Sequence, residues 1–265
     1  MKQIGGFTLA EMAIVLVIVT LLIGGMLIPL GTQIEQRRIS ETQKTLELAN
    51  DALLGFAAAN GRLPCPASAI SNGLESFCSN AGGACVASIN PADHGRCSNF
   101  FDGFLPAATL GISPVDSQGY ALDGWGISPS NRIRYAVSDK TVGGIDFVLT
   151  AKGGMRAATM ANLSSAANFL YVCASAAGNT INSCGISTAL TSRAPAVIYS
   201  VGGNAATGGA GADETANPNP NGGSADLLFV SHPKSGAVGN EFDDIVTWMS
   251  LNILFNRMIA AGQLP

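Results

Sequence analysis

Two histidines, His94 and His232, make up the whole imidazole complement of the chain, and no G-x-S-x-G, Walker, G-x-G-x-x-G or H-E-x-x-H pattern occurs. General-base chemistry has few bearers, so the sequence reads as that of a non-enzyme, with no catalytic residue. Oxygen ligands are better placed. Asp213, Glu214, Asn217, Asn219, Asn221 and Asp226 crowd one stretch, with Asp243 and Asp244 further on, and calcium takes several hard oxygens from a flexible loop. Asp213, Glu214 and Asp226 are the candidate calcium ligands. The EF-hand spacing is absent, and a solvated acidic loop without an ion is the competing reading.

One more acid stands where chemistry is not expected. Phe7 to Leu30 is an apolar run of about 24 residues broken only by Thr8, Glu11 and Thr20, with Gly24, Gly25 and Pro29 near its far end. As a helix it matches a hydrocarbon core of roughly 30 Å. A carboxylate inside such a run costs about 2.5 to 3.5 kcal/mol on insertion scales, so Glu11 needs a partner. The run is also long for the apolar region of an ordinary secretory signal.

Gly5-Gly6-Phe7-Thr8-Leu9-Ala10-Glu11 resembles the class III signal of type IV prepilins and type II secretion pseudopilins. The resemblance implies cleavage after Gly6 by a prepilin peptidase and methylase, N-methylation of Phe7, and an assembly role for Glu11. Pairing the Glu11 carboxylate of an incoming subunit with the terminal amine of its neighbour neutralises both charges and sets their axial stagger. The alternative is a carboxylate favoured at a helix N-terminus by the macrodipole. The family also implies its architecture: an α+β, type IV pilin-like fold, with a long N-terminal helix, half transmembrane and half amphipathic, packed on a small antiparallel β-sheet head. A loop-rich disulfide-bonded region and a C-terminal helix complete it. The expected divisions are a leader over 1–6, a transmembrane and filament-core helix over 7–30, an amphipathic spine over 31–60 and an extracytoplasmic head over 61–265.

Lys2 keeps the short N-terminus cytoplasmic, which leads to an inner-membrane single-pass precursor with a periplasmic head, later an extracellular or periplasm-spanning filament. The expected partners are other pilin subunits, the peptidase, an inner-membrane assembly platform and, before assembly, the lipid bilayer. The leading function is a structural subunit of a type IV pilus or related filament. The alternatives are a type II secretion pseudopilin and a non-polymerising, membrane-anchored periplasmic binding protein. A net charge of -4 gives no general attraction for nucleic acid.

Cys65, Cys78, Cys85, Cys97, Cys173 and Cys184 are an even set in a chain whose bulk is expected outside the cytoplasm, and read as disulfides. Cys173 with Cys184 closes a small loop around Gly178-Asn179, leaving the first four to pair among themselves. A zinc site using His94 and Cys97 is the competing reading, weakened because no paired C-x-x-C units occur.

The elements that must hold these residues are sparse, because 32 glycines and 12 prolines break the chain into turns and only 12% of residues are charged. Beyond Pro29 and Gly31, which should bend or loosen the helix, Ile39, Thr42, Leu46, Ala49, Leu53 and Phe56 draw one apolar stripe. Asn60-Gly61 ends that helix. Strands are expected over 132–137, 145–149, 196–201 and 227–230, with 169–174 ambiguous, making an antiparallel sheet of about four strands. Asp123-Gly124-Trp125-Gly126 with Pro129 resembles a segment leading into the sheet of major pseudopilins. Charges at both ends frame a C-terminal helix over Glu241 to Ala261.

Overall fold

The computed structural model describes residues 8–158, 160–165, 169–181, 183–207, 209, 211–217 and 227–264, with side chains left out at 25–30, 160, 164 and 165. The first element, α1 (Leu9–Asn60), runs 52 residues, continuously across Pro29 and Gly31. Gly61 stops it in the left-handed region at φ 69°, returning its amide to the Ala57 carbonyl. The stripe read from the sequence is where the helix meets its own head: Thr42, Leu46, Ala49, Leu53, Leu54 and Ala57 are buried.

Short strands follow: β1 (Phe77–Cys78), β2 (Ala87–Ser88), β3 (Gly103–Phe104) and, after helix α2 (Ala107–Leu110), β4 (Arg134–Val137). Helices α3 (Gly154–Ala158) and α4 (Met160–Ser165) lead to β5 (Leu170–Cys173), β6 (Ala189–Ala194) and β7 (Ala196–Ser200). Helix α5 (Ala212–Ala216), β8 (Leu228–Val230), β9 (Ser235–Ala237), β10 (Asn240–Phe242), β11 (Ile245–Trp248) and α6 (Leu251–Ala260) complete the chain. The central sheet has the order β11-β7-β4-β3, all antiparallel, with Arg134 opposite Tyr199 and Val246 opposite Tyr199 from the other side. A second sheet, β6-β5-β8, contains the parallel pair β5 and β8, and two ribbons join β1 to β2 and β9 to β10.

Strand β7 explains why there are two layers. Ala196 and Ile198 face one core with Leu46, Leu53 and Ala57 of α1 and Leu254 and Met258 of α6, while Val197 and Tyr199 face another with Leu170, Val172 and Phe229. A strand with period-2 side chains that is apolar on both faces needs a cover on each. The second sheet supplies it.

These observations correct the expected architecture. The fold is mixed α+β with several sheets, one of them containing a parallel pair, in place of one small antiparallel sheet. No helix among the described residues is long and apolar enough to cross a membrane. The transmembrane half, and with it the single-pass inner-membrane placement, is withdrawn. The C-terminal helix begins at Leu251 rather than Glu241, because Ile245–Trp248 pairs with β7. The segment 145–149 is a turn in which Phe147 takes φ 51°, and Val148 and Leu149 enter the core from it.

Three disulfides are present, Cys65–Cys97, Cys78–Cys85 and Cys173–Cys184. Cys97 is therefore no zinc ligand, and the His94 Nδ1 accepts the amide of Arg96.

Candidate functional site

Two places bring candidate residues together. The first is the entry of α1. Thr8 caps the helix: its hydroxyl accepts the Glu11 amide at 3.3 Å, and both its amide and its hydroxyl donate to Glu11 Oε2 at 2.8 Å. This reciprocal capping box satisfies otherwise orphaned N–H groups, so Glu11 has a local task at the helix N-terminus. Its Oε1 takes none of these bonds. Gly6 and Phe7 lie outside the described residues. From Leu9 to Ile23, apolar side chains stand 42% to 90% exposed all round the helix, an apolar surface broken only by Glu11 and Thr20 and of a kind that marks an interaction site.

The second place is the loop before and after β10. Asp213 does not lead it. Burial pushes the Asp213 carboxyl upward, but hydrogen bonds from the Ala176 amide, Asn240 and Ser175, with the nearby His232, outweigh burial and hold it below its ordinary range. Asp213 is spoken for by protein donors. Asp226 lies outside the described residues, as do Asn219 and Asn221. Asn217 donates to the Val230 carbonyl and to Asp244 Oδ2 at 2.8 Å.

Glu214, Asp243 and Asp244 do converge, each offering a carboxylate oxygen within 4.8 Å of the others. Glu214 Oε1, Asp243 Oδ1 and Asp244 Oδ1 are buried and accept no hydrogen bond, and neither does the side-chain Oδ1 of Asn204, whose side chain faces Glu214. Burial pushes the Asp244 carboxyl well up, with Glu214 adding to it, and burial likewise raises Glu214. Two glycines at positive φ make room: a Cβ on Gly202 would lie 2.4 Å from Asp243 Oδ1, and one on Gly209 2.0 Å from Glu214 Cγ. A donor set of oxygens only, several without a hydrogen, fits a hard divalent cation. The sequence names Glu214, Asp243 and Asp244 among its oxygen ligands; Asn204 joins them only through the fold.

A scan against family models, a search of curated proteins and a search of solved structures each gave no match to this chain.

Proposed function

We propose that this chain is a subunit of a type IV pilin-like filament, assembled by packing α1 of one copy against α1 of others after cleavage behind Gly6 and methylation of Phe7. The observation that carries the reading is the division of α1: residues 42–57 bury a stripe in the head, while residues 9–23 present apolar side chains to no part of it. At about 25 cal/mol per Å² of apolar area, covering that surface with the same surface of neighbouring copies is a large driving force. Glu11 Oε1 then takes the terminal ammonium of a neighbour and sets the stagger. Within the family, the large disulfide-bonded head favours a pilus subunit over a secretion pseudopilin. The test is mass spectrometry of the processed N-terminus together with incorporation of Glu11→Gln. Methylated Phe7 and lost incorporation are expected, and an intact Met1 terminus or normal incorporation contradicts the reading.

A second part of the reading is a structural calcium held by Glu214, Asp243, Asp244 and Asn204, in place of the ligand set Asp213, Glu214 and Asp226. The four buried oxygens without partners favour it, because such groups are otherwise costly to bury. Bound there, the ion would neutralise the carboxylates and tie the α5 segment to the turn between β10 and β11. A thermal melt indifferent to calcium and chelator contradicts it.

A further inference from the structure

We propose that a cavity beside the edge strand β3 is a binding site for an acidic monosaccharide of the uronic acid class, gripped through its carboxylate by Arg132 and Arg134. The cavity has a volume of about 470 Å³ and is lined by both arginines with Phe104, Ser68, Asn99 and Asp102. That size lies within the range of sites that take small molecules.

The two guanidiniums are built into the wall. Arg132 and Arg134 are each 3% exposed, and arginine is almost never so buried unless paired; here Asp116 and Asp102 are the partners. The Arg134 guanidinium lies 4.4 Å from the Phe104 ring centre and Arg132 4.0 Å from that of Tyr120, while the two rings meet edge to face at 5.2 Å. Stacking of this kind fixes the planes of the forks before any ligand arrives. Each fork is also held from one side only. Arg132 Nε donates to Asp116 at 2.8 Å and its Nη2 to Gln118, and Arg134 Nη1 donates to Asp102 at 2.9 Å. Arg132 Nη1 and Arg134 Nη2 donate to nothing among the described residues, and Arg134 Nε is buried without an acceptor. Unfilled donors on oriented guanidiniums call for a carboxylate.

The rest of the wall asks for hydroxyls. Asp102 accepts from Arg134 through Oδ1 only, leaving Oδ2 as an acceptor beside the open donors, and the buried Ser68 Oγ has no partner. One carboxylate among several arginine N–H groups, with an acceptor next to it, is complementary to a ligand carrying both a carboxylate and neighbouring hydroxyls. A simple anion would use the first feature and leave the second unmet. Asp116 and Asp102 balance the two guanidiniums in formal charge, so the grip rests on the open, oriented N–H groups and not on a net positive field.

The experiment is calorimetric titration of the full chain with glucuronate, glucose and cyclohexanecarboxylate, joined to amide chemical-shift mapping with glucuronate. Glucuronate should bind, shift the amides of 99–104 and 132–134, and exceed both other compounds by about tenfold or more in affinity. Arg134→Lys keeps the charge and loses the fork, and should weaken glucuronate by about tenfold; Asp102→Asn should narrow the gap between glucuronate and cyclohexanecarboxylate. Should either arginine-site variant fail to fold, the mapping on the unaltered chain decides. Equal affinity for glucose, equal affinity for cyclohexanecarboxylate, or shifts confined elsewhere overturns the proposal.

Discussion

The backbone amide of Gly124 donates to the Thr42 hydroxyl at 2.9 Å, fastening the turn before the central sheet to the middle of α1. The approach is so close that a Cβ on Gly124 would lie 2.2 Å from the Arg38 carbonyl oxygen. Asp123 holds the same turn, accepting the amides of Trp125 and Gly126 through Oδ1 and Asn131 and Ser200 through Oδ2. Gly124→Ala must therefore push the turn off the helix. Thr42→Val instead leaves the half-buried Gly124 N–H without that acceptor, at about 1 kcal/mol. Urea unfolding should show both variants destabilised, Gly124→Ala the more.

The loop-rich region between α1 and β4 depends on its crosslinks unequally. Cys65–Cys97 closes a separation of 32 residues and Cys78–Cys85 one of 7. Loop-closure entropy then assigns about 3.7 kcal/mol to the first and about 2.5 kcal/mol to the second. Cys65→Ala with Cys97→Ala should lower the unfolding midpoint more than Cys78→Ala with Cys85→Ala.

Calcium should stabilise the chain through Glu214, Asp243 and Asp244. At about a hundred times its Kd the gain is about 2.7 kcal/mol, read as a rise in Tm that chelator reverses and Asp244→Asn abolishes. The pH dependence has a sign. The folded carboxyls of Asp244 and Glu214 are raised, so without the ion the folded state holds protons that the unfolded state has lost, and stability falls as pH rises through the raised values. Calcium replaces those protons, so its effect on Tm should grow with pH.

Asp102 supplies a second pH signature. Burial raises its carboxyl to about 6 from 3.8, against the pull of Arg134; Tyr199 is the other titratable group beside it. Stability from this site is fullest below the unfolded value and is lost as pH rises toward about 6. With the side chain 19% exposed, screening leaves about 1 to 2 kcal/mol. Asp102→Asn should flatten stability over that interval.

Much of this was legible because local signals were strong. The α1 stripe, its end at Gly61 and strands β4, β7 and β8 follow from periodicity and turn residues. The second layer was missed although its trace is there: Ala196-Val197-Ile198-Tyr199 is apolar without alternation, the mark of a strand buried on both faces. The C-terminal error has a different cause. Charges at 241, 243 and 244 look like a helix start, yet Asp243 and Asp244 turn the chain between β10 and β11, and Val246, Thr247 and Trp248 find partners on β7 that sequence cannot reveal. The acidic cluster was half visible: Glu214 stood out, while Asn204 reached it only through the fold.

The filament reading is tested most directly by placing a photo-crosslinking residue at Leu16, an exposed position on α1, in cells that make the chain, and sequencing what it captures. Capture of the 9–24 segment of another copy is expected, lost in Glu11→Gln. Capture of lipid alone, of an unrelated protein, or of nothing contradicts the filament reading.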